Sequence, residues 1–156
     1  MSWRRALWWV VYVTAAITLQ AMMPGLDLLL PGYLIVLQER RHTASLIVAA
    51  SFILLQEGMG SMAFGGSLLW YIVATVLFFI GSRPFQSTSL LFVSLLSLCL
   101  AAAHYAVFGM LATLQDVPWQ PSALLGECLW QAVITPPLWL AAFSFRRKMI
   151  HEISEQ

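Results

Sequence analysis

A histidine, two amides and two glutamates stand inside or at the ends of long apolar runs, and through them this chain could do chemistry. His104 lies in the run Ser87–Leu114, while Glu127 and Gln131, one helical turn apart, lie in the run Ala123–Phe145. Gln56, Glu57, Gly58 and Gly60 form a polar, glycine-rich break between two further runs, and Asp27 stands near the start of another. If the runs are threaded through a bilayer in order, His104 and Gln131 fall at similar depth in its outer half. Gln56, Glu57 and Asp27 fall on the same side. An ionisable group held among apolar residues is costly, which gives it a functional reading as a ligand-binding or proton-carrying group. The same groups can hydrogen-bond across helices and fix their register. Without a second carboxylate clearly at matching depth, the plainer role is favoured.

Catalysis finds little support. Ser67 follows Gly65-Gly66 and, with His104, is the one pair resembling an intramembrane serine dyad, but it sits early in a plain apolar stretch and nothing marks an oxyanion site. Phosphate-binding glycine loops, zinc spacings and paired catalytic carboxylates are missing from the sequence. Cys99 and Cys128 both sit in apolar runs and read as small packing residues. The expectation is a protein that is not an enzyme and carries no metal or cofactor.

Six apolar runs must position these residues: Ala6–Met23, Leu26–Gln38, Thr43–Gln56, Ser61–Gly81, Ser87–Leu114 and Ala123–Phe145. With 60% hydrophobic and 10% charged residues, the chain carries more apolar surface than a soluble domain of 156 residues can hide. The fold class expected is all-α, a polytopic membrane bundle of six transmembrane segments with short second and third helices. At ~1.5 Å per residue those two cover roughly 20 Å, short of a hydrocarbon layer of ~30 Å, so they should be shielded by the others. Pro136-Pro137 should kink the last helix by orphaning the carbonyls of Ala132 and Val133. Ala102, Ala106 and Gly109 make a close-contact stripe, and Trp119 is placed as an interfacial anchor.

Every basic residue falls on alternate connections. Arg4 and Arg5 precede the first run, Arg40 and Arg41 follow the second, Arg83 follows the fourth, and Arg146, Arg147 and Lys148 follow the sixth. The remaining connections carry Asp27, Glu57 and Asp116 instead. Short basic loops stay cytoplasmic, so both termini are expected inside an inner (cytoplasmic) membrane. The first run lacks a small-residue cleavage pattern and reads as a retained span. Residues 1–148 are expected to be one membrane domain and 149–156 a short cytoplasmic tail. No basic stripe remains for nucleic acid once topology is accounted for.

The order of features resembles the MreD-type rod-shape-determining proteins, small multi-pass subunits of the bacterial cell-elongation machinery. The resemblance rests on a basic N-terminus, a first span ending in Gln20 with Pro24 beyond, Pro31 in a short second run, and the bridge Arg40-Arg41. It rests further on the break Leu55-Gln56-Glu57-Gly58-Met59-Gly60-Ser61, on Gly65, and on a last span with Trp139 that ends in Arg146-Arg147-Lys148. The family often has an aspartate where Gln56 falls and a charged residue where Leu30 falls. What the resemblance implies is a non-enzymatic scaffold in peptidoglycan synthesis. Its partners would be membrane lipid, a bitopic MreC-like protein and, through that protein, an MreB-like filament and a transglycosylase–transpeptidase pair. A second expectation is the substrate-binding subunit of an energy-coupling-factor vitamin transporter, also a six-helix membrane protein, whose pocket the outer polar groups would line.

Overall fold

Polar and proline residues set where the helices begin. The computed structural model describes residues 3–23, 25–40, 42–58 and 65–151, and these form six helices and no strand. They are α1 (Trp3–Met22), α2 (Leu30–Gln38), α3 (His42–Gly58), α4 (Gly66–Gly81), α5 (Leu90–Leu114) and α6 (Pro121–His151). Ser89, in extended conformation, accepts from the Phe92 amide at 3.1 Å and caps α5. Pro31 occupies the first turn of α2, where its missing N–H removes no helical bond. Two helices, Leu90–Leu114 and Pro121–Lys148, are long and apolar enough to cross a membrane, and the stretches Ala6–Met22 and Gly66–Gly81 are shorter but apolar.

The short helix α2 lies at the centre. Every residue from Leu30 to Leu37 is buried, against α3, α4 and α6. Helix α6 also packs on α5 and α1, and α5 packs on α4. Around this frame the helices turn large aliphatic side chains outward: Leu68, Ile72, Val76 and Ile80 make one exposed stripe on α4, four residues apart. The opposite face of α4 buries Ser67, Trp70, Tyr71, Ala74 and Phe78. Large aliphatic side chains lie outside, while Asp27, Gln56, Ser67, His104 and Gln131 are buried within a largely apolar core.

Several expectations are corrected. The second apolar run is not one helix: Leu26 to Leu29 are non-helical yet buried, and α2 starts only at Leu30. The third helix is not short, because at 17 residues it slightly exceeds the 16 of α4. Helix α6 does not end at Phe145: with Pro136 and Pro137 inside it, it continues through Arg146-Arg147-Lys148 to His151. Pro136 leaves the carbonyl of Ala132 without its helical donor. The Ser97 hydroxyl of α5 lies 3.1 Å from that oxygen and 2.8 Å from the Ser94 carbonyl, and so covers the vacancy. The small-residue stripe does not form a helix contact either: Ala102 and Ala106 face outward, and Gly109 is covered by the Trp119 ring, which folds back onto it.

The basic end of the bundle is tied together by side chains. Gln38 donates from Nε2 to the Ser87 carbonyl at 2.7 Å and accepts from Trp139 Nε1 at 3.1 Å. Arg146 pairs with Glu39 and lies over the rings of Trp8 and Trp9, 4.9 and 5.4 Å from their centroids. The first turns of α1, the end of α2, the α4–α5 connection and the last turns of α6 therefore share one end.

Candidate functional site

A non-helical segment buried in a helical bundle must find partners for peptide groups that neither helix nor water supplies. Between α1 and α2 that requirement is met by three side chains. Gln131 of α6 accepts from the Asp27 amide with Oε1 at 2.8 Å and donates from Nε2 to the Asp27 carbonyl at 2.9 Å, pairing with the peptide as a neighbouring strand would. The Asp27 carboxylate turns back along its own chain, with Oδ1 accepting from Leu29 and Leu30 at 3.0 and 3.1 Å, so it holds two free donors at the start of α2. The Tyr12 hydroxyl of α1 donates to the Leu28 carbonyl at 2.8 Å and accepts from Gly32 at 2.7 Å. The Leu26 amide reaches the Met23 carbonyl at 3.4 Å, and the Tyr33 amide reaches that of Leu29 at 3.1 Å. The amides of Leu26, Asp27, Leu29, Leu30, Gly32 and Tyr33 and the carbonyls of Asp27, Leu28 and Leu29 all find partners in this way.

Further groups enclose this turn. Trp70 of α4 donates from Nε1 to Asp27 Oδ2 at 3.0 Å, leaving a carboxylate only 1% exposed with three N–H donors. The Tyr71 hydroxyl, fully buried, lies near the same carboxylate but outside hydrogen-bonding geometry. Thr135 donates to the Gln131 carbonyl at 2.7 Å and accepts from Gln131 Nε2 at 3.2 Å, which orients the amide. Gly25 adopts a left-handed φ of +93°, and the Glu127 side chain rests directly on it, so any Cβ there would overlap that carboxyl group.

Of the residues singled out from the sequence, Gln131, Glu127 and His104 converge around Asp27. Gln131 touches it, Glu127 covers the backbone two residues before it, and His104 meets it only through Trp70. The His104 ring lies edge-on to Trp70 with centroids 4.8 Å apart and stacks on Phe108 at 4.2 Å, with Nδ1 buried and without a hydrogen-bond partner. Gln56, Glu57 and Gly58 are not part of this cluster. Gln56 is fully buried in the last turns of α3. Glu57 accepts from the Gly65 amide at 3.1 Å and so joins the end of α3 to the start of α4, while Gly58 is exposed. Gly60 lies outside the described residues.

Sequence reasoning placed Asp27 at an outer connection and overlooked Trp70, Tyr12 and Thr135. A signal for Asp27 was present: an aspartate two and three residues before the N–H groups it binds, followed by proline, is a helix-start pattern. Chemically the cluster is an internal clamp, because the polar atoms of Asp27 and Gln131 are used on each other, on backbone and on Trp70. No protein family, curated protein or solved structure matches this chain in comparisons of sequence and fold.

Proposed function

We propose that this chain is a six-span integral membrane subunit of the MreD type, a non-enzymatic scaffold of the bacterial cell-elongation machinery that engages a bitopic MreC-like partner. The observation that carries the membrane part is the exposure of large aliphatic side chains around a bundle that buries several polar ones. Leu46, Leu54 and Val133 are 71%, 74% and 66% exposed, whereas Asp27, Gln56 and Gln131 are 1%, 0% and 3% exposed. Contiguous aliphatic faces of this kind need lipid or a partner against them. The clustering of Trp8, Glu39, Ser87 and Arg146 at one end agrees with basic connections that all meet the cytoplasm.

The scaffold part is supported by how the buried polar groups are used. Asp27, Gln131, Trp70 and Tyr12 hold the turn before α2 and are thereby engaged, which favours a rigid binding body over a transporter subunit whose pocket would draw on the same groups. The order of sequence features shared with the rod-shape proteins supplies the class of partner. Two measurements test the reading together. In a cysteine-free background, single cysteines at positions 83 and 147 should be labelled from the same side of the membrane and one at position 116 from the other. Native purification should recover a single-span partner with a periplasmic coiled coil. Labelling of positions 83 and 147 from opposite sides, or tight binding of a vitamin by the purified protein, refutes it.

A further inference from the structure

At the basic end, a cleft of about 300 Å³ opens between α2, α6 and the α4–α5 connection. Buried Ile35 and half-buried Phe143 line it together with Thr88, Glu39, Arg146 and Arg147. Arg146 is already engaged, by Glu39 and by the rings of Trp8 and Trp9. That pair cancels in charge, so the cleft keeps the single positive charge of Arg147, exposed and in no ion pair among the described residues, beside the exposed Thr88 hydroxyl. A guanidinium and a hydroxyl above an apolar wall match a phosphodiester attached to acyl chains. We propose that this cleft seats the headgroup phosphate of an anionic phospholipid from the leaflet at the basic end.

Orientation in the membrane requires only positive charge near the helix ends. It does not require a recess that combines charge, hydroxyl and an apolar wall, and Arg83, which serves orientation equally, lies outside the cleft. The inference rests on the membrane reading, and its test separates the two. The full chain, purified in neutral detergent, is titrated with dioctanoyl phosphatidylglycerol, dioctanoyl phosphatidylcholine and inorganic phosphate, and bound molecules are counted by native mass spectrometry.

The expected result is one phosphatidylglycerol held in clear preference to phosphatidylcholine. Arg147→Gln should weaken it about fivefold, the effect of one basic side chain at an anionic surface. Arg83→Gln, the same charge change outside the cleft, should leave binding unchanged. Thr88→Val, on an exposed connection, should weaken it roughly two- to tenfold without altering the unfolding temperature. Equal losses in the two arginine variants, or equal retention of the two lipids, overturn the site. Displacement of the lipid by inorganic phosphate at comparable concentration overturns the lipid as its ligand. Recovery of the chain from the soluble fraction of cells would refute the membrane reading itself, whereas a membrane-extracted protein without lipid preference refutes only the site.

Discussion

Replacing Gln131 with leucine preserves side-chain bulk and removes both partners of the Asp27 peptide group. That group is buried, non-helical and remote from water, so neither its N–H nor its C=O has a substitute close by. An orphaned buried donor or acceptor costs about 1–3 kcal/mol. Interhelical hydrogen bonds measured inside membranes average only about 0.6 kcal/mol and reach about 1.7, because an unfolded chain in lipid also finds partners. With two bonds lost at once and irregular backbone left exposed to the apolar interior, the loss should be about 2–4 kcal/mol. At roughly 2–4 °C per kcal/mol for a domain of this size, the unfolding temperature in detergent should fall by about 10 °C. Thr135→Val, which leaves the Asp27 pairing in place, should lower it by no more than about a third as much. Heat unfolding followed by tryptophan fluorescence reads both, and deuterium exchange of Leu26–Leu30 amides should accelerate in the Gln131 variant alone. A Gln131→Leu protein that unfolds within 2 °C of wild type, with exchange unchanged, would falsify the clamp.

Three other outcomes follow from the same geometry. Gly32→Ala drives a methyl into the Tyr12 ring and should cost about 1–3 kcal/mol in detergent unfolding; a neutral result would mean that α1 and α2 do not meet as described. Trp70→Phe leaves Asp27 Oδ2 without its indole donor and should cost about 1–3 kcal/mol by the same measurement. Ser97→Ala should cost about 1 kcal/mol in the wild type, and close to nothing in a Pro136→Ala background, where the restored amide of residue 136 serves the Ala132 carbonyl; additive losses in that double-mutant cycle would contradict the assigned role of Ser97.

The helices were largely legible because each apolar run ends in residues of plain local meaning, such as Ser89 before α5 and the basic cluster that marks the end of the sixth run. The segment Leu26–Leu29 was not, because Leu-Asp-Leu-Leu is as apolar as the helix it precedes and its irregular backbone is stabilised from elsewhere. Gln131 stood out as an amide in an apolar helix, but its partner is a peptide group, and peptide groups leave no trace in residue type. The prolines of α6 were read correctly as removing donors. The donor that compensates comes from Ser97 on another helix, a pairing no local pattern encodes. His104 followed by Phe108 four positions on is a local stacking pair that spacing alone could have supplied. Its contact with Trp70, by contrast, depends on how α4 meets α5.

The amide that completes the Asp27 turn comes 104 positions later in the chain. At about 5–20 residues per second of synthesis, Asp27 leaves the ribosome roughly 5–20 s before Gln131 does. During that interval its peptide group has no native acceptor or donor. The entry to α2 must then stay hydrated or be sheltered by other groups, and the centre of the protein closes last. Biogenesis should accordingly be all-or-none, with chains halted before the final helix degraded as unfinished intermediates.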